Sequence, residues 1–244
     1  MLETHTIFEQ EADGNKKPSA YHVTDIKEAV RDKNRVNIYI NDKFFCSLDI
    51  SQVIDLHIKI GRELEKDELD QLKRASDFGK FYARALEYSL TRPHSSKEIR
   101  DYLKRKTLDR KIRVKDRKTG KYKTKEKKGY DASLIELVFN RLEERGYIND
   151  YRFAELWVEN RNVSKGTSMK KIRIELQQKG ISSAVIDDVL GNSERDDIDE
   201  LRKVIVHKAK KYPDEQKLIQ YLLRQGFNYS DISEELSSIE SSSV

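Results

Sequence analysis

Between Thr107 and Lys128 the chain carries eleven lysines and arginines against three acids, Asp109, Asp116 and Glu126. The local balance is +8 in a chain whose net charge is +5, so the remainder is net acidic and the basicity belongs to one stretch. Such a run suits a polyanion, because lysine and arginine neutralise phosphates and release the counterions condensed on them. Its spacing is regular: Ile112, Val114, Tyr122 and Thr124 hold one parity, and Lys111, Arg113, Lys115, Lys121, Lys123 and Lys125 hold the other. A period of two belongs to strands, and the intervening Arg117, Lys118, Thr119 and Gly120 supply a turn in which the glycine is free to take positive φ. The expectation is a β-hairpin with one wholly cationic face, its arms of about seven residues reaching roughly 20 Å. Lys127 and Lys128 complete the basic series. A ribbon of this kind touches phosphates and carries no base-sequence information unless it enters a groove.

No other chemistry is spelled out. The five histidines, His5, His22, His57, His94 and His207, are scattered without metal-ligand spacing, and neither GxxxxGK[ST] nor GxGxxG occurs. Acids lie beside cations on helical patterns, as in Glu143-Glu144-Arg145, which is how solvated helix faces look. The expectation is therefore a protein that is not an enzyme and uses no cofactor or metal. The single cysteine, Cys46, cannot close an internal disulfide and reads as a small apolar strand residue in a reducing compartment. No apolar run approaches the roughly 18 residues that span a bilayer, and the start of the chain is acidic and polar where a signal peptide is basic and apolar. A cytoplasmic protein with no membrane partner is expected.

The elements that must position the basic run are mainly helical. Residues 1–20 lack periodicity and read as a disordered arm. The stretch YHVTDIKEA precedes RVNIYINDKFFCSLDI, where Val36, Ile38 and Ile40 alternate with polar residues. Asn41-Asp42 make a turn and Phe44 to Leu48 return, giving an N-terminal β-hairpin region. Asp49 or Ser51 then caps a helix that Gly61 ends. A long helix follows with Leu69, Leu72, Phe78, Tyr82 and Leu86 at helical spacing, Gly79 marking a packing point or a break in it. Pro93 stops this helix, and Ser95 or Ser96 caps the next, with Glu98 placed for a capping box.

Downstream the sequence repeats itself. KKGYDASLIELVF, QKGISSAVIDDVL and RQGFNYSDISEEL superpose on Gly129, Gly180 and Gly226. An apolar residue follows each glycine, a helix-capping type stands two after it (Asp131, Ser182, Asn228), and an isoleucine six after it (Ile135, Ile186, Ile232). Ile172 with Leu176, and Leu218 with Leu222, precede the second and third glycines. One helix ending at a left-handed glycine and a capped second helix folding back onto it is a helix-turn-helix. In the first copy the upstream pair is displaced to Ile99 and Leu103, so roughly two dozen residues are inserted at the interhelical turn, and they are the basic stretch.

RPHSSKEIRDYLKRK (92–106), RLEERGYINDYRFAELWVENR (141–161) and KIRIELQQKGI (171–181) together resemble the RecX regulatory proteins, modulators of the RecA recombinase. The middle block is the most specific: Gly146 ends a helix, Asn149 or Asp150 caps another, and Phe153 and Trp157 share one packing face. The resemblance covers roughly residues 21 to 238. It implies a curved, elongated array of tandem three-helix repeats that lodges in the groove of the RecA filament on single-stranded DNA. It also implies inhibition of RecA in DNA repair, homologous recombination and the SOS response, with no catalytic residues. The basic insertion and a short third repeat, with SSIESSSV unstructured, depart from the family pattern. The expected organisation is an N-terminal region over 21–90, repeat 1 over 91–161 with its insertion at about 107–128, repeat 2 over 162–208, repeat 3 over 209–238, and a tail over 239–244. Arg152, Arg161 and Lys165 fall between packed motifs and join the basic run as candidate contacts to filament or DNA. Partners are then the RecA filament and single-stranded DNA, with double-stranded DNA as a further possibility, and a monomer is the default. The competing reading is a helix-turn-helix transcription regulator. Its recognition helices would be SSAVIDDVL and NYSDISEEL, which are neutral to acidic where major-groove readers carry Arg, Lys, Asn or Gln.

Overall fold

The computed structural model describes residues 20–30, 32–116, 119–161 and 166–241, with the backbone alone for Arg161 and residues 239–241. Most of the expected N-terminal arm and the end of the expected tail lie outside the described residues. The chain divides into two compact units, the first ending at Lys80 and the second beginning at Phe81.

In the first unit, β1 (Tyr21–Ala29), β2 (Asp32–Ile40), β3 (Lys43–Asp49) and β4 (Glu63–Leu64) form an antiparallel sheet in the order β3-β2-β1-β4. The expected hairpin is β2-β3. Asn41 and Asp42 take φ of 48° and 62°, the paired positive values that a two-residue hairpin turn demands. The sheet exceeds the hairpin because YHVTDIKEA adds β1, and because the helix capped by Asp49 is shorter than its sequence suggests. That helix, α1, covers Ile50–Asp55 and stops where His57 turns to φ 52°. Gly61 therefore ends no helix; it turns the chain onto the sheet, its N–H donating to Val23 O at 2.8 Å. Alternation along the strands buries Val23, Ile38, Ile40, Cys46 and Leu48 with Leu64, Leu69 and Leu72 in one core. Burial pushes the Cys46 thiol up to about 12.

Helix α2 (Lys66–Ser89) runs from the first unit into the second. Gly79 is a packing point and not a break: a Cβ there would lie 3.0 Å from Asp49 Oδ2 and 3.2 Å from Arg35 Nη1, partners in an ion pair at 3.0 Å. Of the apolar residues at its helical spacing, Leu69 and Leu72 are buried, and Phe81 and Ala85 occupy the buried face further on while Phe78, Tyr82 and Leu86 are half-buried.

The second unit is built of helices with one two-stranded ribbon. After the end of α2 come α3 (Ser96–Thr107), β5 (Arg110–Lys115), β6 (Tyr122–Lys127) and α4 (Leu134–Glu144). Next are α5 (Asp150–Arg161), α6 (Met169–Gln178) and α7 (Ser183–Gly191), then α8 (Asp197–Lys208), α9 (Glu215–Arg224) and α10 (Tyr229–Ser241). Packing groups α5, α6 and α7 around Phe153, Ala154, Ile172, Leu176 and Ile186. It groups α8, α9 and α10 around Leu201, Val204, Leu218, Leu222 and Ile232. The end of α2 lies with α3 and α4, where Phe81 stacks on Tyr130 at 4.4 Å between ring centroids and Tyr102 Oη donates to Arg84 O at 3.1 Å. Helix α10 continues to Ser241, through serines expected to be unstructured.

The repeat grammar shows in the contacts. Gly146, Gly180 and Gly226 have φ of 73°, 82° and 89°, the left-handed conformation that terminates a helix. Arg100 of α3 pairs with Glu136 of α4, and at the matching positions Arg173 of α6 pairs with Asp187 of α7. Consecutive groups are joined alike. Ser95 Oγ donates to Lys179 O at 2.8 Å, and Ser168 Oγ donates to Gln225 O at 3.0 Å. Ser96 N donates to Asp150 Oδ1 at 2.7 Å, and Met169 N to Asp197 Oδ1 at 2.8 Å. Each joint thus sets the start of one group's middle helix on the glycine turn of the next group, with an aspartate from the next first helix capping a free amide.

Candidate nucleic-acid interface

The ribbon grows out of the last turn of α3. Tyr130 N donates to Lys106 O at 3.1 Å, as Ile181 N donates to Leu176 O at 3.1 Å, so the returning chain satisfies a terminal carbonyl of the helix across the whole insertion. Gly129, unlike its counterparts, is not among the positive-φ glycines. It is needed for close approach: a Cβ there would overlap the Thr107 carbonyl and sit 2.9 Å from Leu108 N. Its N–H donates to Asp109 Oδ1 at 2.8 Å, which ties the two feet of the ribbon together. At the far end Asp116 N donates to Lys121 O and Gly120 N to Asp116 O, both at 2.8 Å, and Gly120 takes φ +68°.

The register overturns the expectation of one wholly cationic face. Lys111 lies across from Glu126, Arg113 from Thr124 and Lys115 from Tyr122, while Arg110 pairs with Lys127, Ile112 with Lys125 and Val114 with Lys123. Directly paired residues share a face. Odd-numbered residues of β5 are paired with even-numbered residues of β6, so the two basic series point to opposite sides of the ribbon. One face carries Lys111, Arg113 and Lys115 with Tyr122, Thr124 and Glu126. The other carries Arg110, Lys123, Lys125 and Lys127 around Ile112 and Val114, both half-buried, and lysine stems are suited to cover such apolar residues. The turn decides this, because a shift of one residue exchanges the faces of a whole strand.

The tip cations are partly committed. Lys123 pairs with Asp116 at 2.8 Å, and that hydrogen bond raises its pKa. Lys111, Arg113, Lys115, Lys121, Lys125 and Lys128 are exposed. At the root the pattern reverses. Arg110 and Lys127 face one another across the two strands, and Lys106 lies 4.9 Å over the Tyr102 ring. Burial lowers the pKa of Lys127, and Arg84, Arg110 and Lys106 lower it further; burial lowers that of Lys106, reinforced by Arg110, Arg84 and Arg105. Arg84, Lys106 and Arg110 were absent from the sequence-based candidates. Arg110 and Lys106 lie at the edge of the basic run, where their spacing was the available signal; Arg84 is brought there by packing alone.

Arg152 is exposed on α5, where its N–H donates to Asn149 Oδ1 at 2.9 Å, so Asn149 is the capping residue and Asp150 serves the neighbouring group. Phe153 and Trp157 do pack together, ring centroids 5.6 Å apart, and Trp157 Nε1 donates to Glu175 Oε2 at 3.1 Å. Arg117, Lys118 and Lys165 lie outside the described residues, as does the Arg161 side chain. Among the described residues no group of three or more His, Cys, Asp or Glu is placed to hold a metal, and no helix is long and apolar enough to cross a membrane.

Fold and site together define a helical-repeat protein with an N-terminal β unit and a basic ribbon let into its first repeat. Comparison with known proteins agrees. Residues 21–65 match the N-terminal domain of regulatory protein RecX, and residues 149–190 match the RecX second three-helix domain, the span of α5, α6 and α7. The regulatory protein RecX of Clostridium tetani is 28% identical over 226 residues, covering 89% of this chain and 94% of that protein. That of Bacillus subtilis is 25% identical over 227 residues, covering 89% and 77%. A crystal structure of a regulatory protein RecX superposes with a TM-score of 0.68 at 22% identity over 87% of this chain and 97% of that one, a likeness of fold. The chain is thus similar along most of its length to regulatory proteins named RecX, and it carries matches to two of that family's domains.

Proposed function

We propose that this chain is a non-enzymatic inhibitor of the RecA recombinase, engaging the RecA filament on single-stranded DNA and limiting its growth or activity. The observation that carries the reading is the similarity to RecX regulatory proteins, with relatives aligned along 89% of the chain. The ribbon supports the DNA contact. With its two-sided register, a single strand lying on one face meets about four phosphates, so affinity falls by roughly 50-fold between 50 and 200 mM salt at a slope of about −0.7 per phosphate.

The test measures RecA ATPase on single-stranded DNA with substoichiometric amounts of the intact chain and of a chain lacking residues 108–128. Inhibition by the intact chain, weakened in the deletion, is expected. No inhibition by the intact chain sinks the proposal, and tight binding to one duplex sequence without any effect on RecA favours the transcription-regulator reading instead.

A further inference from the structure

At the root of the ribbon half-buried Lys106 and Lys127 stand with exposed Arg84 and Arg110, four cations beside two acids, Glu87 and the Asp109 that accepts from Gly129 N. By contrast, Arg35 is paired with Asp49, Lys179 with Glu98 and Arg62 with Glu68. At the root, Arg110 and Lys127 are direct cross-strand partners, an arrangement of like charges that costs stability. Lys106 comes from the last turn of α3, over Tyr102, whose hydroxyl bonds the backbone of Arg84. Arg84 and Arg110 act on both lysines, Arg105 acts on Lys106, and Glu87 is the acid that acts on Lys106, as the weakest of its influences. The negative end of α3 attracts Lys106 and Arg105. It does not account for Arg84 or for the Arg110–Lys127 pair, which come from other elements.

The face bearing Arg110 and Lys127 continues outward through Lys125 and Lys123, about 7 Å apart along β6. We propose that Arg84, Lys106, Arg110 and Lys127 form a phosphate seat at the root of the ribbon, and that a nucleic-acid strand is anchored there by one phosphodiester group while the β6 lysines guide it toward the tip. The anchor rests on the DNA-contact part of the proposed function. Two guanidinium groups give the planar fork that suits phosphate oxygens, and two ammonium groups give compact charge. A bound phosphate offsets the mutual repulsion, so the site gains most where the free protein is most strained by its own charges. Its affinity therefore falls as pH rises through the lowered values of Lys106 and Lys127, earlier than for ordinary exposed lysines.

The experiment measures fluorescence anisotropy of a labelled thirty-residue oligo-dT against the full chain and three variants: R110Q/K127Q, R84Q, and the tip pair K115Q/K121Q. R110Q/K127Q is expected to lose about tenfold in affinity at 50 mM salt and to flatten the salt slope by about 1.4, two phosphate-linked charges at roughly 0.7 each. R84Q, on α2 and outside the ribbon, is expected to lose several-fold, so the seat is tested even if the strand substitutions loosen the hairpin. K115Q/K121Q is expected to lose less than threefold. As the pH is raised the wild type is expected to weaken before K106R/K127R does. Wild-type affinity and slope in both root variants overturn the seat while leaving DNA binding by the rest of the ribbon intact. Pyrophosphate, added as a competitor, separates the sources: displacement of the oligonucleotide shows that a free phosphoanion also fits, and its failure to displace, with the root variants impaired, assigns the seat to the phosphodiester strand. If the wild type binds no oligonucleotide but pyrophosphate raises its thermal midpoint in a root-dependent way, the seat stands and the DNA contact falls.

Discussion

Glu98→Gln removes one charge from the joint between the first two helical groups and leaves the shape unchanged. The carboxylate is 2.9 Å from Arg92 Nη1 and 3.2 Å from His94 Nδ1 through Oε2, and 2.7 Å from Lys179 Nζ through Oε1. Burial works against its charge; hydrogen bonds from Arg92 and Lys179 overcome that and hold the carboxyl at about 2, against an ordinary 4.5. A drop of that size corresponds to about 3 kcal/mol. Arg92 is 51% exposed and Lys179 33%, so solvent screening brings the expected contribution to about 1–2 kcal/mol. The sign follows from the direction of the shift. A carboxyl depressed by folding stabilises the folded chain above its unfolded value near 4.5 and loses that contribution as pH falls toward about 2. The assay is urea unfolding followed by fluorescence of Trp157, which lies beneath Lys179 at 5.2 Å. At pH 7 the variant is expected to be less stable by about 1–2 kcal/mol, and at pH 3 the gap shrinks to less than about half. Equal stability at pH 7, or a gap of the same size at both pH values, refutes the reasoning.

Gly129→Ala drives a methyl group into the Thr107 carbonyl and is expected to cost at least about 2 kcal/mol in thermal or urea unfolding. Gly120→Ala meets nothing within 4 Å and costs about 1 kcal/mol from its φ of +68°. That cost falls on the ribbon and leaves the helical unfolding midpoint in place. Cys46, buried and held at about 12, is expected to react with a disulfide reagent orders of magnitude more slowly in the native chain than in urea; rapid native labelling contradicts its place in the sheet core. Deletion of 108–128 is expected to leave the circular dichroism of the helices intact, and loss of helix signal shows the ribbon to be part of the fold and not an insertion.

Much of this architecture can be read from the chain because the turns demand particular residues. Gly180 and Gly226 mark helix ends through their positive φ, and the Ile172–Leu176 and Leu218–Leu222 spacings mark the buried faces beside them. Aligning Gly129, Gly180 and Gly226 finds the two helices that flank each turn; α5 shows instead through Gly146 and Asn149, and α8 is passed over because no positive-φ glycine directly precedes it. Two-residue β4 is too short to show a period. The ribbon is the instructive case. Alternation within each strand is plain in the sequence, but which series shares a face is settled by the pairing across the turn between Asp116 and Lys121, and no single-strand pattern carries that information. Arg84 is invisible for a different reason: its helical pattern looks solvated, and tertiary packing alone sets it beside Lys106 and Lys127.

The position of the insertion also has a physical cause. In the second and third groups the interhelical turn is covered by the group before it. A Cβ on Gly180 would lie 2.8 Å from Lys97 Cβ, and one on Gly226 would lie 3.2 Å from Lys171 Cβ and against Ser168 Oγ. Lys97 Nζ donates to Gln178 O at 2.8 Å, and Lys171 Nζ to Gln225 Oε1 at 2.7 Å, so both turns have their carbonyl and amide groups taken up by the neighbouring helix start. Extra residues at either turn would break a joint and leave those groups without partners. In the first group, among the described residues of the helical unit, no helix start docks on the corresponding turn between Thr107 and Gly129. Chain can therefore be added there at the cost of loop closure alone, which grows slowly with length. The ribbon's two feet keep even that cost low, because Gly129 N on Asp109 and Tyr130 N on Lys106 O close the loop on the helix end. Among the described residues of the helical unit, the interhelical turn left open to elaboration is thus the one at which the cations are gathered.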